Sequence, residues 1–175
     1  MSRTKKMVLL GILVSQALIL HIIERMIPVP IPVPGIKLGL ANAISLVTII
    51  LFGPKEALMV VGMRTLLGSV FGGGVSGFIY SFIGGSISTL AMAVMYKNFR
   101  NLFSLPVISV VGAVFHNIGQ ILVASLIVQN MKLFYYLPLL LVSAVITGLF
   151  IGFAVQYTMR PMRHILGIGS DGNVE

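Results

Sequence analysis

The chain contains no cysteine and very little negative charge. Without cysteine, disulfides, thiolate zinc sites, iron–sulfur clusters and cysteine nucleophiles are all excluded. Its 175 residues include only four acids: Glu24, Glu56, Asp171 and Glu175. Charged residues of both signs reach 9%, against about 25% in soluble domains, so the chain cannot cover its surface in water. What it has instead is hydrophobic side chains, at 57% of residues, with a mean hydropathy of +1.05. The apolar runs suffice for several membrane spans of about 20 residues each. A soluble enzyme, a disordered tail and a secreted scaffold are ruled out, and an integral membrane protein is expected. Twelve Lys and Arg give a net charge of +8, which in a soluble protein would suggest nucleic acid. Here they cluster at the ends of apolar segments and read as a topology signal, so no nucleic-acid partner is expected. Residues 1–6 are basic, but the apolar stretch after them is as long as a full span and lacks a small-x-small exit. No cleavable signal peptide is expected.

Proline, glycine and charge mark off six apolar runs, at about 7–27, 38–52, 55–71, 75–95, 106–128 and 136–158. The expected fold is an all-α integral membrane protein, a bundle of six transmembrane helices. It forms a single domain over 1–175, with a basic N-terminus at 1–6, the bundle at 7–158 and a tail at 159–175. Between the first two runs prolines alternate from Pro28 to Pro34, which excludes a helix and favours an extended polyproline connector or a lid. The second run, of about 15 residues, spans only about 22 Å as a helix. With the N-terminus inside, Arg3, Lys5, Lys6, Lys55, Lys97, Arg100, Arg160 and Arg163 fall on the cytoplasmic side. Lys37, Lys132 and Arg25 fall outside, a bias that puts both termini in the cytoplasm of a multi-pass cell-membrane protein. In the fourth run Gly73, Gly77, Ser81, Gly85 and Thr89 recur every four residues. Such a stripe lets backbones approach closely in lipid, or leaves room for a ligand.

An ionisable side chain inside a span costs a few kcal/mol or more, so each needs a partner or a role. Arg64 lies near mid-depth of the third run, with His116 at similar depth in the fifth. Asn117 adjoins His116, and Gln120 shares the His116 face at i, i+4. Glu24 and Arg25 end the first run, Lys37 and Asn42 precede and open the second, and Tyr80 and Ser81 occupy the outer half of the fourth. These positions could converge on a polar cavity in the outer half. Simpler roles are an Arg64–Glu24 or Arg64–carbonyl pairing, interhelical hydrogen bonding for His116, Asn117 and Gln120, and an interfacial Glu24–Arg25 pair. Substrate-binding candidates are Glu24, Lys37, Asn42, Arg64, Tyr80, His116, Asn117 and Gln120. No catalytic or metal-ligating residue is assigned. The single aspartate, Asp171, is in the tail, no intramembrane carboxylate pair exists, and no nucleophile–base–orienter set can be drawn. Gly72-Gly73-Gly74 lacks the spacing of a phosphate-binding loop, so the chain cannot use ATP by itself. His21 and His116 could in principle ligate a haem, a weak signal from two isolated histidines, and no cofactor is assigned.

Three stretches carry a family resemblance: Pro34-Gly-Ile-Lys-Leu-Gly-Leu-Ala-Asn42, Leu51-Phe-Gly-Pro-Lys-Glu-Ala57 and Arg64-Thr-Leu-Leu-Gly-Ser69. Together with Gly112-Ala-Val-Phe-His-Asn-Ile-Gly-Gln120 and the stretch from Leu137 to Gly148, they resemble the Gx transporter family over residues 7–153. That family is also labelled heptaprenyl diphosphate synthase component I. The resemblance implies a fold like the substrate-binding S components of energy-coupling factor (ECF) transporters, six-helix proteins that hold a small molecule in an outward-facing cavity. It also implies a transmembrane coupling protein and cytoplasmic ATPases as partners. The coupling protein contacts the S component through small residues on the first helix, here Gly11 and Ser15 in place of the usual alanines. The synthase label implies a different role, as an accessory component binding a prenyl lipid or quinone. A catalytic prenyl synthase would need aspartate-rich Mg²⁺ sites, which a chain with one aspartate cannot build.

Overall fold

The computed structural model describes residues 2–27, 37 and 39–166. Among these it forms α-helices and no strand: α1 Arg3–Met26, α2 Asn42–Phe52, α3 Pro54–Gly68, α4 Gly74–Phe99, α5 Leu105–Val128 and α6 Leu137–Leu166. The proline-alternating stretch, with the lid role considered for it, and the end of the tail lie outside the described residues.

Local chemistry explains most helix ends. Ser2 caps α1, its hydroxyl accepting the Lys5 N–H at 3.4 Å. Gly53 takes φ 100° between α2 and α3, and Pro54 opens α3, where a missing N–H costs nothing. Pro106 sits in the first turn of α5, which ends on Gln129 in the left-handed region at φ 52°. A short 3₁₀ turn, Met131–Tyr136, leads into α6.

α3 and α4 form one helical segment of 46 residues. Straight, it would measure about 69 Å, over twice the hydrocarbon core. A wide π-type turn at Ser69–Gly73 breaks it, with Gly72 at φ 94°. The chain then doubles back, bringing Gly85 of α4 against Val61 and Arg64 of α3, and Phe82 near Gly62. Four segments are long and apolar enough to cross a membrane: α1, the α3–α4 segment, α5, and α6 with its preceding turn. Exposed Ile19, Leu66, Val94, Leu126 and Phe150 give them an apolar exterior suited to lipid. The chain is a multi-pass membrane protein. The fifth apolar helix, α2, has 11 residues and reaches only about 16 Å, so it does not cross alone.

α5 is packed between α4 and α6, and glycines set how close these helices come. A Cβ added at Gly119 would lie 3.1 Å from Gly84 Cα, and one at Gly148 would lie 2.6 Å from Val110 Cα. Gly152 meets the Pro106 backbone in the same way. In lipid such contacts replace the hydrophobic effect as the source of helix association. The α4 stripe has two roles. Gly85 is filled by α3, whereas buried Gly77 has no atom within 4 Å of where its Cβ would stand. One apolar cluster gathers Leu46, Ala57, Met92, Ile108 and Ile151, and another gathers Tyr80, Ile121, Ala124, Leu133 and Leu140. Along α5, His116 and Gln120 fall between Ile108 of the first and Ile121 of the second.

Gly148→Ala should destabilise the fold by about 1–3 kcal/mol, because the new methyl overpacks the α5–α6 contact. Gly11→Ala, where nothing lies within 4 Å, should leave stability unchanged. Thermal unfolding of both variants in detergent checks the contrast, and equal midpoints would refute this packing account.

Candidate functional site

The network starts on α1, where His21 and Glu24 lie three residues apart on one face, both buried. Gly68 of α3 makes room for the imidazole, since a Cβ there would sit 2.5 Å from His21 Cδ2. One Glu24 oxygen, Oε1, accepts the backbone N–H groups of Gly39 and Leu40, the latter at 2.8 Å. Gly39 adopts φ 90°, and a Cβ there would lie 2.8 Å from Asn42 Nδ2 and 3.1 Å from His116 Cδ2. Only glycine fits this conformation and this gap.

The segment anchored by Glu24 delivers Lys37 to the interior. Its backbone N–H donates to Gln120 Oε1 at 3.0 Å, and its ammonium meets His21 Nε2 at 2.6 Å. Asn42, at the start of α2, accepts from Arg64 Nη2 at 2.9 Å. Gly84 packs on His116 and Gln120, and Gly85 on Arg64, so α4 closes the wall between α3 and α5. Six of the candidate residues are thus brought together: Glu24, Lys37, Asn42, Arg64, His116 and Gln120. His21 joins them, and its contact with Lys37 leaves Nε2 unfit for a haem.

The other two candidates have different partners. Asn117 donates to the Leu140 carbonyl of α6 at 2.8 Å, tying α5 to α6. Tyr80 packs in the apolar cluster with Ile121 and Leu133. The pairings considered from the sequence also differ from those formed. Arg64 pairs with Asn42 rather than Glu24, and Arg25 donates to the Phe71 carbonyl at 2.7 Å, pinning the α3–α4 turn. Among the described residues the one ion pair within 4.0 Å is Lys6–Glu56, at 2.5 Å.

Electrostatically the network is unbalanced. Glu24, Lys37 and Arg64 are 2%, 4% and 2% exposed, so water screens none of them. One acid against two bases leaves an excess of one positive charge where an unpaired charge is costly. Burial pushes the Lys37 ammonium down to about 8, with Glu24 opposing that fall and Arg25 and Arg64 adding to it. Several buried polar atoms here have no protein partner: Asn42 Nδ2, Arg64 Nε, His116 Nε2, Gln120 Nε2 and Ser81 Oγ. Among the described residues no group of three His, Cys, Asp or Glu side chains could hold a metal.

A second surface lies on α1. Gly11 and Ser15 are exposed, with Ser15 Oγ donating to the Gly11 carbonyl at 3.0 Å. Beside them Gln16 is exposed as well, in the middle of a helix whose surroundings are lipid. The cost of a polar group inside an apolar run would have singled out Gln16 from the sequence, whereas nothing there marks Gly39 or Gly68.

Comparison with known proteins gives a family and a fold. A family model described as heptaprenyl diphosphate synthase component I matches residues 13–158. Among solved structures, one titled "Structure and mechanism of the S component of a bacterial ECF transporter" superposes with a TM-score of 0.67 at 23% identity. The match covers 94% of this chain and 99% of that one, so the two share a fold. A comparison with curated proteins finds no match.

Glu24→Ala should leave the buried Gly39 N–H and the half-buried Leu40 N–H unsatisfied, at about 1–3 kcal/mol each, and should release both residues. Glu24→Gln keeps an accepting oxygen and should lose less. Amide exchange at Leu40 reads this directly. Unchanged protection in Glu24→Ala would remove Glu24 as the anchor.

Proposed function

We propose that this chain, which belongs to the heptaprenyl diphosphate synthase component I family, also called the Gx transporter family, is the substrate-binding S component of an ECF-type uptake transporter. The observation that carries this reading is the buried excess of positive charge, held by Lys37 and Arg64 in a network joining five helices. On a fold shared with an S component, that arrangement suits a small anionic solute. Asn42, His116 and Gln120 supply hydrogen bonds, and Glu24 holds segment 37–41 in place. All six helices lie at membrane depth in one domain, with α2 and α3 paired and both termini cytoplasmic. The orientation follows the distribution of Lys and Arg.

The chain acts without catalysis of its own, binding solute while partner ATPases supply the energy. A transmembrane coupling protein takes the open face of α1, where Gly11 and Ser15 permit close approach and Gln16 gains a polar partner. The solute crosses when the coupled bundle moves as a unit. A second reading follows from the family's description: an accessory component that binds a prenyl lipid or quinone for a separate enzyme. Native mass spectrometry of gently extracted protein separates the two. A copurified ATPase complex supports the transporter, and a copurified quinone or prenyl diphosphate supports the accessory role.

Once a solute has been found by screening vitamins and anionic metabolites, Arg64→Ala should weaken its binding about tenfold or more, as expected for a lost charge-assisted hydrogen bond. Undiminished affinity would overturn the site. Binding should also depend on pH in a defined direction. Below about 8 Lys37 is a cation and holds the anion, and as pH rises through that value the charge and the affinity both fall. Calorimetric titration across this range tests the sign, and an affinity that rises with pH would contradict it.

A further inference from the structure

The polarity of the unused hydrogen-bonding groups narrows the ligand, on the reading that this network is a solute site. The orientation of an amide side chain is ordinarily assigned rather than seen. Here the partners decide it. A backbone N–H can only donate, so the Gln120 atom facing Lys37 N is oxygen and the amide nitrogen is left over. A guanidinium can only donate, so Asn42 gives Arg64 its oxygen and keeps Nδ2. A carbonyl can only accept, so Asn117 spends its nitrogen on Leu140.

Three amide and guanidinium N–H donors therefore remain without partners in the network, Asn42 Nδ2, Gln120 Nε2 and Arg64 Nε, beside the unpartnered His116 ring. Their residues are 4%, 0% and 2% exposed, so no surface water serves them. They also lie close together. Asn42 Nδ2 and the His116 ring both close on Gly39, Gln120 and His116 both pack on Gly84, and Arg64 is bonded to Asn42. Unsatisfied buried donors are costly, and a set of them demands acceptors.

Charge sets the number of acceptor charges required. Lys37 and Arg64 against Glu24 leave one positive charge, Arg25 being turned to the Phe71 carbonyl at the exposed α3–α4 turn. Among the described residues no other acid enters the count, since Glu56 is bound to Lys6, and residues 28–36 contain only Pro, Val, Ile and Gly. A neutral carbonyl compound would leave the excess standing. A doubly charged phosphate would overshoot it by one. We infer that the solute is a monoanionic carboxylate, whose oxygens accept from Asn42 Nδ2, Gln120 Nε2 and Arg64 Nε.

The test uses the full purified chain in lipid nanodiscs, with acetate, benzoate, benzamide and inorganic phosphate as probes. Thermal unfolding and equilibrium dialysis serve as readouts. The carboxylates should raise the unfolding midpoint in a dose-dependent way. Benzamide, the neutral counterpart of benzoate, should bind about tenfold more weakly or worse. Gln120→Glu keeps the oxygen that accepts from Lys37 but replaces the spare donor with an acceptor, and should abolish the benzoate effect. Asn42→Asp makes the same exchange beside Arg64 and provides a second test if the first variant does not fold. Equal response to benzoate and benzamide, preference for phosphate, or benzoate binding retained in a folded Gln120→Glu or Asn42→Asp protein would each overturn the inference. Partner capture is a separate result. A chain that captures an ATPase complex without preferring carboxylates loses this inference and keeps the transport reading. One that prefers carboxylates but captures no partner keeps the inference and loses transport.

Discussion

Two backbone N–H groups, those of Gly39 and Leu40, point at one carboxylate oxygen near the end of α1, and the polar interior is organised from that contact. Neither N–H belongs to a helix, so without Glu24 both would be buried donors with no acceptor. With them held, Lys37 is placed where its main chain reaches Gln120 and its ammonium reaches His21. α2 can then start at Asn42 in register with Arg64. Each later link spans two helices, so one carboxylate coordinates α1, α2, α3 and α5. Glu24 is met by two backbone dipoles, the Lys37 ammonium by the His21 ring and one Arg64 nitrogen by the Asn42 oxygen. Among the described residues direct ion pairing is confined to Lys6–Glu56, at the opposite end of α1.

Much of this was legible in the residue order. The cost of burying polar groups selects Glu24, Lys37, Arg64, His116 and Gln120 without any coordinates, because few other side chains in the spans are ionisable or carry an amide. Breakers such as Gly53-Pro54 and Gly72-Gly73-Gly74 placed the helix ends to within a few residues. The choice of partners was not legible. Arg64 faces Asn42 rather than Glu24 because the backbone of segment 37–41 claims the carboxylate first, and backbone claims leave no trace in side-chain identity. Tyr80 carries a hydroxyl and so looked like a cavity residue, but its ring area makes it equally suited to the apolar cluster around Ile121. The role of Gly39 depends on a dihedral angle and on the approach of His116, neither of which has a sequence pattern.

The family's description names a synthase component, and the polar network bears on that name. Elongating a prenyl chain requires carboxylates to gather Mg²⁺ around a diphosphate. The one buried acid in this network instead accepts from its own backbone. The site is rich in donors and short of acceptors, the reverse of what a divalent cation needs.

The brevity of α2 has a consequence for how the protein is made. Eleven residues cannot cross the hydrocarbon core, and its neighbour α3 carries a guanidinium that hydrocarbon would reject. Neither helix is a competent insertion unit when it leaves the ribosome. They become lipid-compatible only as a pair, once Asn42 has met Arg64 and Gly85 has covered the α3 backbone. Lipid compatibility of this stretch therefore draws on α4, and residues of the polar network are also those that fit it to the membrane.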